Sequence, residues 1–198
     1  MNISTSLVTA GIISAVASYV GTLMLGKRMA LVAGPLGHLT LPGVALALLY
    51  NFDITLGAFP FVLLGVLLIW LLELRTRLPV EALTAIVFAT GVAVSFLFLP
   101  LEEAERALVG DLTKIELSDM MCSLLVSAPA LAVVSRIYGD IILTCMSEDM
   151  ARITGINVGR HNLIYLLVVG AVVALGVKIA GGLLTAALVA IPAAAARN

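Results

Sequence analysis

Charged residues cut this chain into long apolar runs: residues 1–26, 29–52 with a single histidine, 54–72, 82–101, 120–135, 162–177 and 179–196. A helix rises about 1.5 Å per residue, so roughly 20 apolar residues cross a hydrocarbon core about 30 Å thick. The pattern predicts an all-α, polytopic integral membrane bundle with about seven hydrophobic segments. The runs at 120–135 and 162–177 are short and are expected to extend through flanking residues whose charged ends reach water. In the last run Gly182, Ala186, Ala190 and Ala194 recur at a spacing of four. Such a face lets helices approach closely, so that segment is expected to be buried or partly re-entrant.

Composition agrees with the pattern. The chain is 62% hydrophobic and 12% charged, with a mean hydropathy of +1.17, whereas about a quarter of the residues in soluble domains are charged. The first run carries no basic leader and reads as a span, not a cleaved signal. With the N-terminus outside, Lys27, Arg28, Arg75, Arg77, Arg136, Arg152, Arg160 and Arg197 fall in cytoplasmic loops, against Arg106, Lys114 and Lys178 outside. The excess of positive charge on the inside selects this orientation. A net charge of −1 without a basic, aromatic-laced stripe gives no sign of nucleic-acid binding.

One polar island has helix-stop chemistry at both ends. In Ser147 to Arg160, Ser147 suits an N-cap, Glu148 and Asp149 place negative charge in the first turn, and Gly155 suits the left-handed position after the last. The helix is too short to span. Met150 and Ile153, three residues apart, share a face, so the chain is expected to present a small apolar knob rimmed by charge. Cys122 and Cys145 lie about 34 Å apart along one predicted helix, beyond disulfide reach, and are expected to pack.

His38 is the ionisable residue deepest within a strong run, in the stretch Ala33 to Gly43. Intramembrane ionisable groups are costly and usually face a cavity. Pro42 lacks the N–H that would bond the carbonyl of residue 38, leaving an acceptor beside the imidazole. One reading is a ligand for a divalent cation in transit; the other is a histidine bonded to a neighbouring span, with Pro35 and Pro42 kinking the helix. The acidic stretch from Leu101 to Asp119 has two readings of equal weight: a functional loop that draws in cations or meets an extracellular partner, and a solvated loop. Nothing supports catalysis: a phosphate-binding glycine loop with lysine, a metalloprotease helix and a nucleophile with its base are all missing from the sequence.

The residues Lys27 to Val32, the His-x-x-x-Pro-Gly pattern from His38 to Gly43, the segment Glu148 to Arg160 and the closing Leu183 to Arg197 resemble the permease of zinc, manganese or iron importers of the ATP-binding-cassette class. The acid-x-Ala-Arg-x-x-Gly-x-Asn-Val pattern, here Asp149 to Val158, is similar to the coupling segment of this family and of the related siderophore and cobalamin permeases, bundles of eight or more spans. The resemblance implies one transmembrane permease domain over residues 1–198, with residues 147–160 as its cytoplasmic coupling segment. It also implies a multi-pass cell-membrane location, a second permease copy, a cytoplasmic ATP-binding subunit and an extracytoplasmic metal-binding protein. No prosthetic group is implied, the metal being cargo. His38 would be the pathway histidine, with Gly34, Pro35, Pro42 and Gly43 shaping the path. Glu148, Asp149, Met150, Ala151, Arg152, Ile153, Gly155, Asn157 and Arg160 would contact the ATPase. The family usually has an Asp four residues before the histidine, where this chain has Gly34, and relatives continue past the Pro-Ala-Ala-Ala-Ala stretch. The sequence therefore keeps open a permease for a chelated metal or another small nutrient, and a C-terminally short, non-transporting assembly subunit.

Overall fold

The computed structural model describes residues 3–27, 29, 32–76, 78–98, 115 and 117–196. Arg28, Arg77, Arg197 and most of the acidic stretch from Leu101 to Glu116 lie outside the described residues.

Eight helices follow one another among the described residues: α1 (Ile3–Gly26), α2 (Ala33–His38), α3 (Leu41–Tyr50), α4 (Ile54–Arg75), α5 (Val80–Phe98), α6 (Leu117–Met146), α7 (Glu148–Ile153) and α8 (Val158–Ala196). Six stretches are long and apolar enough to cross a membrane, with α2 and α3 together making one, and Leu184–Ala195 adds a shorter apolar helix. The sum, seven hydrophobic segments, is what the apolar runs predicted.

The second run is interrupted at Leu39 and Thr40, which keep right-handed helical angles, so the chain bends there and continues in the same span. α2 ends at His38 and α3 begins at Leu41. Both prolines of that run start helices: Pro35 lies in the first turn of α2 and Pro42 in the first turn of α3, where a missing N–H breaks no helical bond. Leu39, at the bend, is buried, and its side chain fills the space that a Cβ on Gly65 of α4 or Gly91 of α5 would take. This wedge fixes where His38 stands.

Two expectations are corrected. α6 has 30 residues, about 45 Å of helix, which outruns a core of about 30 Å. Arg136 therefore lies within the helix and not in a loop. Cys145 lies 3.7 Å from where a Cβ on Gly26 would stand, but Cys122 is exposed on α6 instead of packed; both thiols are free.

The centre of the bundle is the first limb of α8. Its apolar window is 67% buried, against 22% for α6, because it packs on α1, α4 and α6. Tyr165, wholly buried, donates its hydroxyl to the carbonyl of Val20 at 2.8 Å. At Gly181 (φ 73°, ψ 168°) the helix breaks. Thr185 then comes back against Gly176, with 3.9 Å between its Cβ and an ideal Cβ on the glycine. A continuous helix would hold residues nine apart about 13 Å from one another, so the chain reverses here. The returning limb packs on α1 and α2: a Cβ on Gly37 would stand 2.7 Å from the Gly182 carbonyl, and one on Gly21 would strike the Val189 carbonyl. The outer faces of α4 and α5 expose Leu64, Leu67, Leu68, Leu71 and Ile86, a surface suited to hydrocarbon.

Candidate functional site

Three groups of polar side chains sit at three levels of the bundle. The first is the polar segment around α7. Ser147 adopts an extended backbone and its hydroxyl accepts from the Met150 N–H at 3.3 Å. Gly155 takes φ +86°, and the Ile156 N–H returns to the Ala151 carbonyl at 2.9 Å. Both ends are stopped by the chemistry that the sequence carries. Ala151 is buried against the bundle, whereas Met150 and Ile153 are 58% and 82% exposed. The charged rim contains an exposed Glu148–Arg152 pair at 3.7 Å. Asn157 Oδ1 accepts from the Arg160 N–H at 3.1 Å and starts α8. His161 closes the base of the segment: its Nε2 lies 3.0 Å from Asp140 Oδ2 of α6, and its Nδ1 lies 2.9 Å from the Asn157 carbonyl.

Under α7 an open cleft of about 1200 Å³ is bounded by Glu148, Arg152, the 155–159 stretch, the ends of α1 and α4, and Glu81. Its floor holds a polar trio that the sequence reading missed. Asn162 Oδ1 accepts from Lys27 Nζ, and Asn162 Nδ2 donates to Glu73 Oε1 at 2.7 Å. Lys27 also stands 5.5 Å from the Tyr165 ring centroid, within cation–π range. Burial pushes the Lys27 ammonium down, and Cys145, Glu73 and Glu148 counter this only in part, so its pKa lies below the usual lysine value. The Trp70 Nε1–H donates to the Gly159 carbonyl at 3.1 Å and gives a second tie between α4 and α8.

His38 is the middle level. It is half-buried, with its ring centroid 5.4 Å from that of Phe88 on α5 at an interplanar angle of 42°. Among the described residues no group of three His, Cys, Asp or Glu side chains is placed to hold a metal ion. A Cβ on Gly34 would meet the Ala186 methyl at 3.6 Å, an ordinary contact. Gly43 instead meets α4, where its Cβ would strike the Gly57 carbonyl. The structure thus draws Gly34 to the returning limb of α8 and Gly43 to a helix crossing.

At the opposite end of α4 and α8, Lys178 Nζ bonds Asp53 Oδ2 at 2.6 Å and Asp119 Oδ1 at 2.5 Å. Asp53 doubles as the N-cap of α4, accepting from the Thr55 and Leu56 N–H groups at 2.8 and 3.3 Å. This triad also escaped the sequence reading. Its only signals were two single charged residues, Asp53 and Lys178, each between two apolar runs.

The chain matches the ABC 3 transport family over residues 1–198. It is 25% identical over 195 residues to the manganese import system permease protein ScaB of Streptococcus gordonii, covering 96% of this chain and 70% of that protein. It is likewise 25% identical over 199 residues to the high-affinity zinc uptake system membrane protein ZnuB of Haemophilus influenzae, covering 98% and 76%. Among solved structures, PsaBC from Streptococcus pneumoniae in complex with Fab superposes with a TM-score of 0.80 at 22% identity, covering all of this chain and 73% of that one. At that identity the likeness is one of fold.

Proposed function

The chain belongs to the ABC 3 transport family, and from that premise we propose that it is the membrane-spanning permease subunit of an ATP-driven importer for a divalent transition metal ion, manganese or zinc before iron. The observation that carries this reading is α7. A six-residue helix capped at both ends holds Met150 and Ile153 in the open between two spans, and an exposed apolar knob with a charged rim is built to seat in a partner's groove. The names of the relatives support the cargo.

In this reading residues 1–198 form one permease domain, the N-terminus faces outward, and α7 lies in the cytoplasm. Residues 147–160 contact a separate ATP-binding subunit, which performs the hydrolysis. Two copies of the permease line the path, and an extracytoplasmic metal-binding protein delivers the ion. His38 meets the cargo. A lone imidazole with backbone and water oxygens makes a weak, incomplete site, which permits release. Gly34, Pro35 and Pro42 shape the path around the bend between α2 and α3.

The test is co-purification with the partner ATPase, followed by uptake in sealed vesicles with Mn2+, Zn2+ and Fe2+ compared. ATP-dependent accumulation of one ion establishes the importer; a stable complex that accumulates none rejects it. His38→Ala is expected to lower uptake with assembly intact. Unaltered uptake would remove the histidine from the path.

A further inference from the structure

Lys27, Asn162 and Glu73 meet where the ends of α1, α8 and α4 converge beneath α7. Asn162 is only 5% exposed. Its amide serves a cation with the oxygen and an anion with the nitrogen, so both of its functions are committed. Glu73 keeps a second oxygen, Oε2, that is buried and has no hydrogen-bond partner. A buried open acceptor on a carboxylate is costly and calls for an explanation. An ammonium stands close enough for the two charges to interact.

We infer that this trio is a two-position joint: Lys27 rests on Asn162 in the state described here and passes to Glu73 Oε2 when α7 is displaced, letting α1 and α4 shift against α8. The inference rests on the proposed role of α7 as the ATPase contact. Asn157 and His161 carry the exit of α7 into α8 through the bonds at the helix start. From there the first limb runs unbroken to Gly181, about 35 Å away. Beyond the break, Gly182 lies against Gly37, the neighbour of His38. One helix therefore connects the trio to the contact beside the histidine. Close-packed elements move between discrete arrangements rather than deforming continuously, and a lysine with two acceptors supplies two. Lys27, Asn162 and Glu73 are positioning residues, acting through α8.

The experiment uses the chain assembled with its ATPase in sealed vesicles, with Mn2+ and Zn2+ as probes and hydrolysis and uptake measured together. Glu73→Gln keeps the shape and an acceptor for Asn162, but its second atom becomes a donor that cannot receive Lys27. The expected result is normal assembly and continued hydrolysis, with uptake per ATP about tenfold lower. Asn162→Leu is expected to give the same loss. If that variant fails to assemble, Glu73→Gln decides. Unchanged uptake per ATP in Glu73→Gln overturns the joint, and so does loss of assembly in that variant, since the trio would then be a brace. A wild-type complex that accumulates neither ion defeats the permease reading itself and takes the joint with it, a result distinct from uncoupling confined to the variants.

Discussion

Asp53 holds two roles at once, capping α4 and pairing with Lys178. Burial pushes its carboxyl up, while the Lys178 ammonium and the Thr55 and Leu56 N–H groups together pull it further down, leaving it below its ordinary value. A carboxylate with a depressed folded pKa contributes stability above its unfolded pKa and loses it as the pH falls through the folded value. Asn caps as well as Asp, so Asp53→Asn isolates the charge. Melting in detergent should show the variant about 1 kcal/mol less stable at neutral pH, a modest figure because the side chain is about a third exposed. The difference should vanish as the pH drops below the ordinary carboxylate range. Lys178→Met is a harsher change. Lys178 and Asp119 are only 13% and 12% exposed, and removing the cation of a buried pair costs about 3 kcal/mol. A variant that melts with the wild type would refute the triad.

At the scale of elements, α7 shows how local chemistry makes a free-standing turn. Ser147→Ala should cost the short helix about 1 kcal/mol, read by faster amide exchange at Met150. Met150→Ala should weaken the proposed ATPase contact by about 2 kcal/mol, seen as lost stimulation of hydrolysis while the chain still inserts. Unchanged stimulation would take α7 out of the interface. These features were legible in the sequence because a cap and its N–H lie within three residues of one another. The Lys27–Asn162, Asn162–Glu73 and Lys178–Asp53 bonds join residues 135, 89 and 125 positions apart, and no local pattern announces such a pair. Likewise the spacing of Gly182, Ala186, Ala190 and Ala194 advertised close packing but not which helices they meet.

For the whole molecule, the reversal at Gly181 decides the architecture, because it returns the last apolar helix to α1 and α2 instead of sending it onward. Its backbone angles belong to a region that glycine alone enters cheaply. The 3.9 Å between Cβ positions at residues 176 and 185 matches the usual disulfide span of about 3.8 Å. With Cys122 and Cys145 replaced, Gly176→Cys and Thr185→Cys together should oxidise readily to a bond visible by mass spectrometry. Adding Gly181→Ala should suppress it. Failure of the first pair to cross-link would mean that the limb does not turn back.

The sequence by itself determined the class, the number of hydrophobic segments and the capped turn at α7, because burial in lipid demands long apolar runs and helix ends are sealed by neighbours in the chain. It also singled out His38, since an imidazole in an apolar run is conspicuous. Only the tertiary structure decided that the run around His38 is two helices held by Leu39 between Gly65 and Gly91, and that Glu73 and Lys178, unremarkable as letters, sit in polar groups at opposite ends of the same helices. Those arrangements depend on which helices come to lie side by side, and that is settled by packing across the bundle, where the shape of each face matters and its distance along the chain does not.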